Sequence, residues 1–457
     1  METVIQNVWS KSKVLVKALI IGFLVLLLQI PLFYVKDLIQ EREARQREAI
    51  TEVSSKWAGR QNITGPLLVL PYWQNTGDTA YVKARSKQYA YFLPHVLNVQ
   101  STVIPQEKYR GIYKVMLYNT NVSISGSFNE IDLAKLNISS ADVIWNEAFV
   151  KLHISDVKGL NEEPKLKWNS QQLALSPLTE SSGTEGLMTN LNITTADDLK
   201  NAVFETSFNL SGSEQLLFTP VGKETTVQVK SKWPHPSFNG TILPQTNQVN
   251  NDGFNAIWKS LAHKRAFPQQ WKGDAYSVRD EFPMTTAAYT RSVDVASSVT
   301  ANNLSSASFG VNLFVPVNSY QKTMRSVKYA ALCILLTFAA FFIIETTNKR
   351  SVHPFHYGLV GVALVLFYTL LLSFSEYIGF NASYAIAALA TIGLIGWFVK
   401  GLLQSGRMSI LLSTILLLLY TYVFTILQLQ DYSLLLGSIG LFVTLGLIMY
   451  FSRKIQW

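Results

Sequence analysis

Apolar and polar positions along this chain follow two different periods. Six runs, 18–35, 329–344, 357–374, 382–399, 408–427 and 432–451, approach the roughly 20 apolar residues that cross a bilayer's hydrocarbon core. Between the first and second lies a polar insert, 36–326, whose apolar positions recur in short alternating or continuous runs. Residues 36–57 extend the first run as a helix: Glu41 with Arg45 and Glu43 with Arg47 are i,i+4 pairs, and Gly59 follows its end. Beyond Gly59 the pattern is that of strands. Residues 66–72 predict a buried strand closed by prolines. Residues 111–118 and 122–128 predict a hairpin about Asn119-Thr120-Asn121, and 204–210, 214–218 and 225–231 predict further strands, with a turn at 220–223. Helical patterning is weaker, at 140–145 and 253–263. The expected fold class is an α+β membrane protein: six transmembrane helices, one N-terminal and five C-terminal, with a large, mainly antiparallel β extracytoplasmic domain.

The first run follows Lys11, Lys13 and Lys17 and lacks a small-x-small cleavage site, so it reads as an uncleaved signal anchor. Orientation comes from the other basic flanks: Lys349 and Arg350, Lys400 and Arg407, and Arg453 and Lys454 belong to loops of the same parity as the N-terminal lysines. The opposite turns carry Glu376 and Asp431 without Lys or Arg. This predicts a cytoplasmic tail 1–17, an anchor 18–35, an extracytoplasmic β-rich domain 36–326 and a five-helix membrane domain 327–457, with both termini cytoplasmic.

Composition sharpens this reading. The chain has 457 residues, of which 48% are hydrophobic and only 15% charged, well below the roughly 25% of soluble domains. A net charge of +9 would suggest nucleic acid if it lay on one soluble surface. Instead, 36–326 holds 29 basic and 26 acidic side chains, so most of the excess flanks the membrane runs, and no nucleic-acid partner is expected. Cys333 is the single cysteine, which rules out an intrachain disulfide and a C-x-x-C zinc site. The exported domain must therefore rely on its own packed core.

Many ordered segments then resemble one family. They include Trp57-Ala58-Gly59-Arg60-Gln61, Gly65-Pro66-Leu67-Leu68-Val69-Leu70-Pro71-Tyr72, Lys108-Tyr109-Arg110-Gly111, Ser155-Asp156-Val157-Lys158-Gly159-Leu160 and Trp233-Pro234-His235-Pro236. In the membrane half come Leu336-Thr337-Phe338 to Glu345, His353-Pro354-Phe355-His356-Tyr357 and Ser375-Glu376-Tyr377-Ile378-Gly379-Phe380. Over nearly its whole length the chain resembles the bacterial inner membrane protein CreD family, departing at His356, where glutamine is expected. The resemblance implies an inner-membrane protein of cell-envelope integrity, associated with a two-component system responding to envelope and β-lactam stress. It implies no enzymatic activity and no cofactor.

The residues themselves agree. His353 and His356, three apart at a helix start, could share a metal, but no further ligand is evident nearby, and Pro354 in the first turn favours a helix-capping role for His353. Glu345, Glu376 and Asp431 sit at span ends, whereas an ion-coupled transporter keeps an ionisable residue near mid-membrane. Glu376 is the better functional candidate because it faces the exported side, where Arg325 or Lys322 is expected to pair with it. Arg110 beside Gly111 is a further candidate, as a paired surface arginine or a ligand contact. His235, between prolines, reads as a rigid corner, since no serine elbow or paired base accompanies it. No catalytic, cofactor or metal residue is assigned. The expected partners are the lipid bilayer and an unidentified periplasmic or envelope component, and the competing reading is a transporter or channel-like component formed by the C-terminal helices.

Cysteines placed at Asn192 and Ser405 in a Cys333→Ala background check the topology. An impermeant thiol reagent applied to intact spheroplasts should label only position 192, and labelling of 405 alone would reverse the orientation.

Overall fold

The structure, a computed structural model, describes residues 16–75, 85–129, 131–179, 185–278, 302–313, 319–347, 352–429 and 435–440, with positions 442, 446 and 449. The chain forms two compact units, Met1–Glu48 with Val317–Trp457, and Ala49–Pro316.

The first unit is helical. Helix α1 (Val16–Trp57) begins in it, followed by α2 (Ser319–Lys328), α3 (Ala330–Thr347), α4 (Pro354–Ile378), α5 (Phe380–Leu403) and α6 (Gly406–Gln428). Helices α1, α4, α5 and α6 are each long and apolar enough to cross a membrane, and α2 with α3, bent by 45°, passes the same test only as a pair. Among the described residues there are thus four candidate spans, or five if the bent pair is one, against the six predicted over the whole chain. The predicted run 432–451 lies mostly outside the described residues.

Small residues let these helices approach, as packing within a bilayer requires. A Cβ on Gly361 of α4 would fall 2.2 Å from the Leu28 side chain of α1, and Ser409 of α6 donates its hydroxyl to the Gly396 carbonyl of α5 at 2.6 Å. Aromatic rings fill the space between α4, α5 and α6: Phe367 lies 5.3 Å from Tyr384 and 4.6 Å from Tyr420, and the Tyr384 hydroxyl donates to the Tyr420 carbonyl at 2.9 Å.

The second unit is built from seventeen strands among the described residues. They are β1 (Gln61–Asn75), β2 (Arg85–Phe92), β3 (Val96–Arg110), β4 (Tyr113–Ser127), β5 (Phe149–Ile154), β6 (Lys165–Trp168), β7 (Gln171–Ala174), β8 (Ser176–Thr179) and β9 (Glu185–Asn190), then β10 (Val203–Ser213), β11 (Gln215–Thr219), β12 (Glu224–Ser231), β13 (Pro236–Gly240), β14 (Thr246–Asn250), β15 (Gly253–Leu261), β16 (Gln270–Lys272) and β17 (Phe309–Leu313). One sheet runs β13-β17-β11-β1-β5-β9-β8, with β2 on β1 and β16 on β2, and the other runs β14-β15-β12-β3-β4-β10-β6-β7. Pairing is antiparallel except between β1 and β11 and between β3 and β12, one parallel junction inside each sheet. Both sheets feed one hydrophobic core, in which Trp258 of the second stacks on Phe309 of the first at 5.8 Å and Phe238 meets Phe254 and Trp258 edge-on.

Several local expectations change. Residues 253–261 form a strand, not a helix: Phe254, Ala256, Trp258 and Ser260 are buried alternately, a period of two fixed by pairing with β12 and β14 on either side. The predicted hairpin about residues 119–121 is one continuous strand, β4, and the hairpin is β3–β4 with its turn at Gly111. The polar residues that suggested a turn are satisfied across strands: Ser101 and Thr120 share a hydrogen bond at 2.7 Å, the Asn121 amide donates to Asn209 at 3.0 Å, and Asn119 accepts from the Ser211 hydroxyl at 2.8 Å. Strand β1 runs past both prolines, because its pairing with β5 breaks register between Thr64 and Leu67, where Pro66 cannot donate. Residues 140–145 carry two short 3-10 turns in place of a helix. The 220–223 turn joins strands of different sheets, as does the 233–236 corner, where the Trp233 indole donates to the His235 carbonyl at 2.9 Å.

The junction of α1 with β1 is a buried polar node. Gly59 donates its N–H to the Asp156 carboxylate at 2.8 Å. Gln61, fully buried, donates from Nε2 to the carbonyls of Asp156 and Ser211 at 2.9 and 3.0 Å and accepts the Asp156 N–H at 3.2 Å. Arg60 pairs with Glu214 through Nε and Nη2 at 2.9 Å each. Glu214 sits at φ +58°, the single left-handed residue where the chain leaves β10 in one sheet and enters β11 in the other. Two glycines make room: a Cβ on Gly159 would fall 2.3 Å from the Ser211 carbonyl, and one on Gly212 would fall 2.4 Å from the Tyr118 ring.

Leu68 is fully buried between Phe92 and Val150 on the neighbouring strands. Leu68→Asp places an unpaired charge in that core and should cost about 3 to 5 kcal/mol. Normal accumulation with unchanged protease resistance would show that this strand is not core.

Candidate functional site

The three residues singled out in the sequence occupy three separate places. His353 and Glu376 lie at opposite ends of α4, 23 positions apart and therefore about 34 Å along the helix. Arg110 belongs to the β unit.

Glu376, in the last turn of α4, has a largely buried side chain, 9% exposed. It accepts a hydrogen bond from the Tyr320 hydroxyl of α2 at 3.0 Å and lies 3.9 Å from the Arg42 guanidinium of α1. The expected partners, Arg325 and Lys322, are displaced by these two: Arg325 lies on the exposed side of α2, and Lys322 points its ammonium toward Gln428 at 3.5 Å and over the Phe380 ring at 5.5 Å. Gln428 in turn donates to Asn381 at 2.7 Å. One end of the helical unit is thus tied together by a carboxylate, a phenol, a guanidinium and two amides.

His353 is the N-cap of α4. Its Nδ1 accepts the Phe355 N–H at 3.3 Å, Pro354 occupies the first turn, and the His353 carbonyl is 3.1 Å from His356 Nδ1. The two imidazoles are 6.4 Å apart at 80°, and among the described residues no group of three or more His, Cys, Asp and Glu is placed to hold a metal.

Arg110 ends β3 at the tip of the long hairpin and closes on Glu52 of α1 through two nitrogens, at 2.9 and 3.3 Å. Lys56 donates to the same carboxylate at 2.7 Å. The Lys56 hydrogen bond first, and the positive charge of Arg110 second, hold the Glu52 carboxyl below its usual range. Arg110 is therefore a clasp between a helix and a hairpin.

A fourth arrangement was not anticipated. Glu345, near the end of α3 and only 4% exposed, accepts from the Lys17 ammonium of α1, from the Val352 N–H at 2.8 Å and from the Tyr357 hydroxyl at 2.7 Å. Lys17 also donates to the Val352 carbonyl at 2.5 Å. This node ties α1, α3 and α4 at the end of the unit opposite Glu376. A lone carboxylate ending an otherwise apolar run is its signal in the sequence, where Lys17 has a sufficient role as an orienting flank. Between the two ends, Tyr368, Tyr384 and Tyr420 are buried among the helices near Cys333.

The arrangement secures helix ends. The description "Inner membrane protein CreD" matches residues 13–457, nearly the whole chain. This chain belongs to the CreD family. The inner membrane protein CreD of Escherichia coli strain K12 is 29% identical over 439 residues, covering 95% of this chain and 91% of that protein. The CreD match spans both units, and two of the family-like segments, 57–61 and 155–160, meet in the Gln61–Asp156 node. A third, 336–345, and a fourth, 353–357, meet through Glu345 and Tyr357.

The two carboxylates should respond differently to neutralisation. Glu345→Ala leaves Lys17 without its buried partner and should cost about 3 to 5 kcal/mol, whereas Glu376→Gln, losing a long pair to a half-exposed arginine, should cost about 1 kcal/mol or less. Thermal denaturation of the purified variants in detergent measures both, and equal shifts would show that the Glu345 node is not a structural brace.

Proposed function

We propose that this CreD-family chain is a non-enzymatic inner-membrane factor for cell-envelope integrity or envelope-stress response, in which the β unit lies outside the cytoplasm and binds an envelope component while the helices hold it in the bilayer. The observation that carries this reading is where the charge lies. In α3 to α6 the only Asp, Glu, Lys and Arg residues are Glu345, Glu376, Lys400 and Arg407, each within three residues of a helix end. The interior between them is filled by interlocked aromatic rings. Such a bundle favours anchoring over carrying ions, since transport sites need ionisable or irregular backbone groups at depth. The β unit supplies the recognition surface: a fold of two sheets with exposed apolar residues at hairpin and loop positions, such as Tyr109, 67% exposed, and Leu243, 71% exposed. Six spans with both termini cytoplasmic complete the reading, supported by the parity of the basic flanks.

Photo-crosslinking residues at Tyr109 and Leu243 in living cells, with partner identification, should capture an envelope component. The same full-length protein in vesicles should pass no proton or ion current. A flux that Glu376→Gln abolishes, with crosslinking unchanged, would replace this reading with a transporter built from the C-terminal helices.

A further inference from the structure

Helix α2 carries a charge pattern that neither orientation nor packing explains. Its ten residues, Ser319–Lys328, contain Lys322, Arg325 and Lys328 and no acidic residue. The i, i+3, i+6 spacing places the three on one side, each about 60° round from the last at 100° per residue. Tyr320, Thr323, Ser326 and Val327 are buried on the other side, while Gln321, Arg325 and Lys328 are exposed. The helix is therefore amphipathic, and it meets the apolar α3 at a 45° bend, the two passing the test for a membrane span only together. That is the geometry of a helix lying along a bilayer interface.

Like charges three apart destabilise a helix unless something neutralises them. Among the described residues, no carboxylate lies within ion-pair distance of Lys322, Arg325 or Lys328. The nearby carboxylate of the same unit, Glu376, is already engaged by Tyr320 and Arg42, and Tyr320 reaches it from the buried side of α2. On the orientation proposed above, α2 also lies at the outer ends of the spans, where the distribution of positive charge that orients membrane proteins calls for few cations. Arg325 and Lys328 are thus exposed on the face turned away from the helices, and Lys322, at the edge of that face, reaches only the neutral Gln428 and the Phe380 ring, so the three charges are clustered without a carboxylate partner among the described residues.

We infer that the Lys322–Arg325–Lys328 face of α2 binds the phosphate headgroups of anionic phospholipids. Each cation at the membrane surface contributes an attraction to anionic lipid, and Arg325 can take two phosphate oxygens at once. The buried side of the helix, packed on the bundle, holds that face at a set angle to the spans. Bound lipid supplies the negative charge that the chain omits. The leaflet follows from the proposed orientation, whereas the lipid class follows from the helix alone.

The test uses the full-length protein in nanodiscs of phosphatidylcholine, titrated with phosphatidylglycerol, with retained lipid read by native mass spectrometry and stability by thermal denaturation. Wild type should retain phosphatidylglycerol and gain thermal stability from it, and K322Q/R325Q/K328Q should retain about tenfold less or lower still. R325Q/K328Q alters only exposed side chains and should show the same direction with unchanged stability in phosphatidylcholine, which separates lost binding from misfolding. K322R/R325K/K328R should bind as wild type does, and a charge-neutralised control in the β unit, K230Q/K259Q, should not change retention. Equal retention by wild type and R325Q/K328Q would overturn the inference. Stabilisation by inorganic phosphate matching that by phosphatidylglycerol would overturn the lipid assignment in favour of a free-anion site. If the topology fails in the thiol-labelling test while lipid retention still depends on these residues, only the leaflet changes.

Discussion

One buried amide holds the two sheets of the β unit in register. Gln61 begins the first strand after the long helix, yet its side chain is hydrogen-bonded to main-chain groups of Asp156 and of Ser211 in β10, a strand of the other sheet. Gln61 is fully buried, and each such group left unpaired there costs about 1 to 3 kcal/mol, so the amide specifies one alignment and penalises others. Its surroundings cooperate. Gly159 and Gly212 leave the space it occupies, Arg60 braces the left-handed Glu214 at which the chain changes sheets, and the Tyr118 hydroxyl donates across to the Gln215 carbonyl at 2.6 Å. The helix, the parallel β1–β11 junction and the β10–β11 crossover all converge here, so the placing of later strands depends on this contact.

The helical unit solves the same problem without a large polar interior. The carboxylates of α3 and α4, Glu345 and Glu376, sit at helix ends with donors around them, and the middle of the bundle is packed by rings and small residues. Glu345 is the more demanding of the two, because it is nearly dry and joins α3 and the adjacent α4 to Lys17 of α1, 328 positions away. Desolvating an ion pair offsets much of its attraction, so such a node specifies geometry more than it adds stability.

How far this was legible in the amino-acid order depended on range. Apolar runs of bilayer length identify spanning helices by themselves, and α1, α4, α5 and α6 coincide with four of the predicted runs. The i,i+4 ladder of α1 and the alternation within β10 and β12 are likewise local signals. Residues 253–261 misled because Ile257 and Trp258 are adjacent apolar residues on opposite faces of a strand, which blurs a period of two into something helical. The tip of β3–β4 was misplaced because asparagines that usually mark turns are here paired across β4 and β10. Capping by His353 was readable from Pro354 alone. The partnership of Lys17 with Glu345 was not, since 328 positions separate them and each has a sufficient local explanation.

Strand order also governs when the β unit can become a finished object. Strand β17, residues 309–313, is inserted between β11 and β13, so β13 has no place in its sheet until nearly the last residues before α2 have been made. Pairings this distant in sequence close late, after loop entropy has been overcome. A chain made from its N-terminus would hold β13 and one edge of β11 unpaired until residues 309–313 follow. Completion of the sheet then falls just before α2 and α3 in the order of the chain. A truncation between residues 241 and 308 would leave β13 and one edge of β11 without their shared partner and open to aggregation or proteolysis.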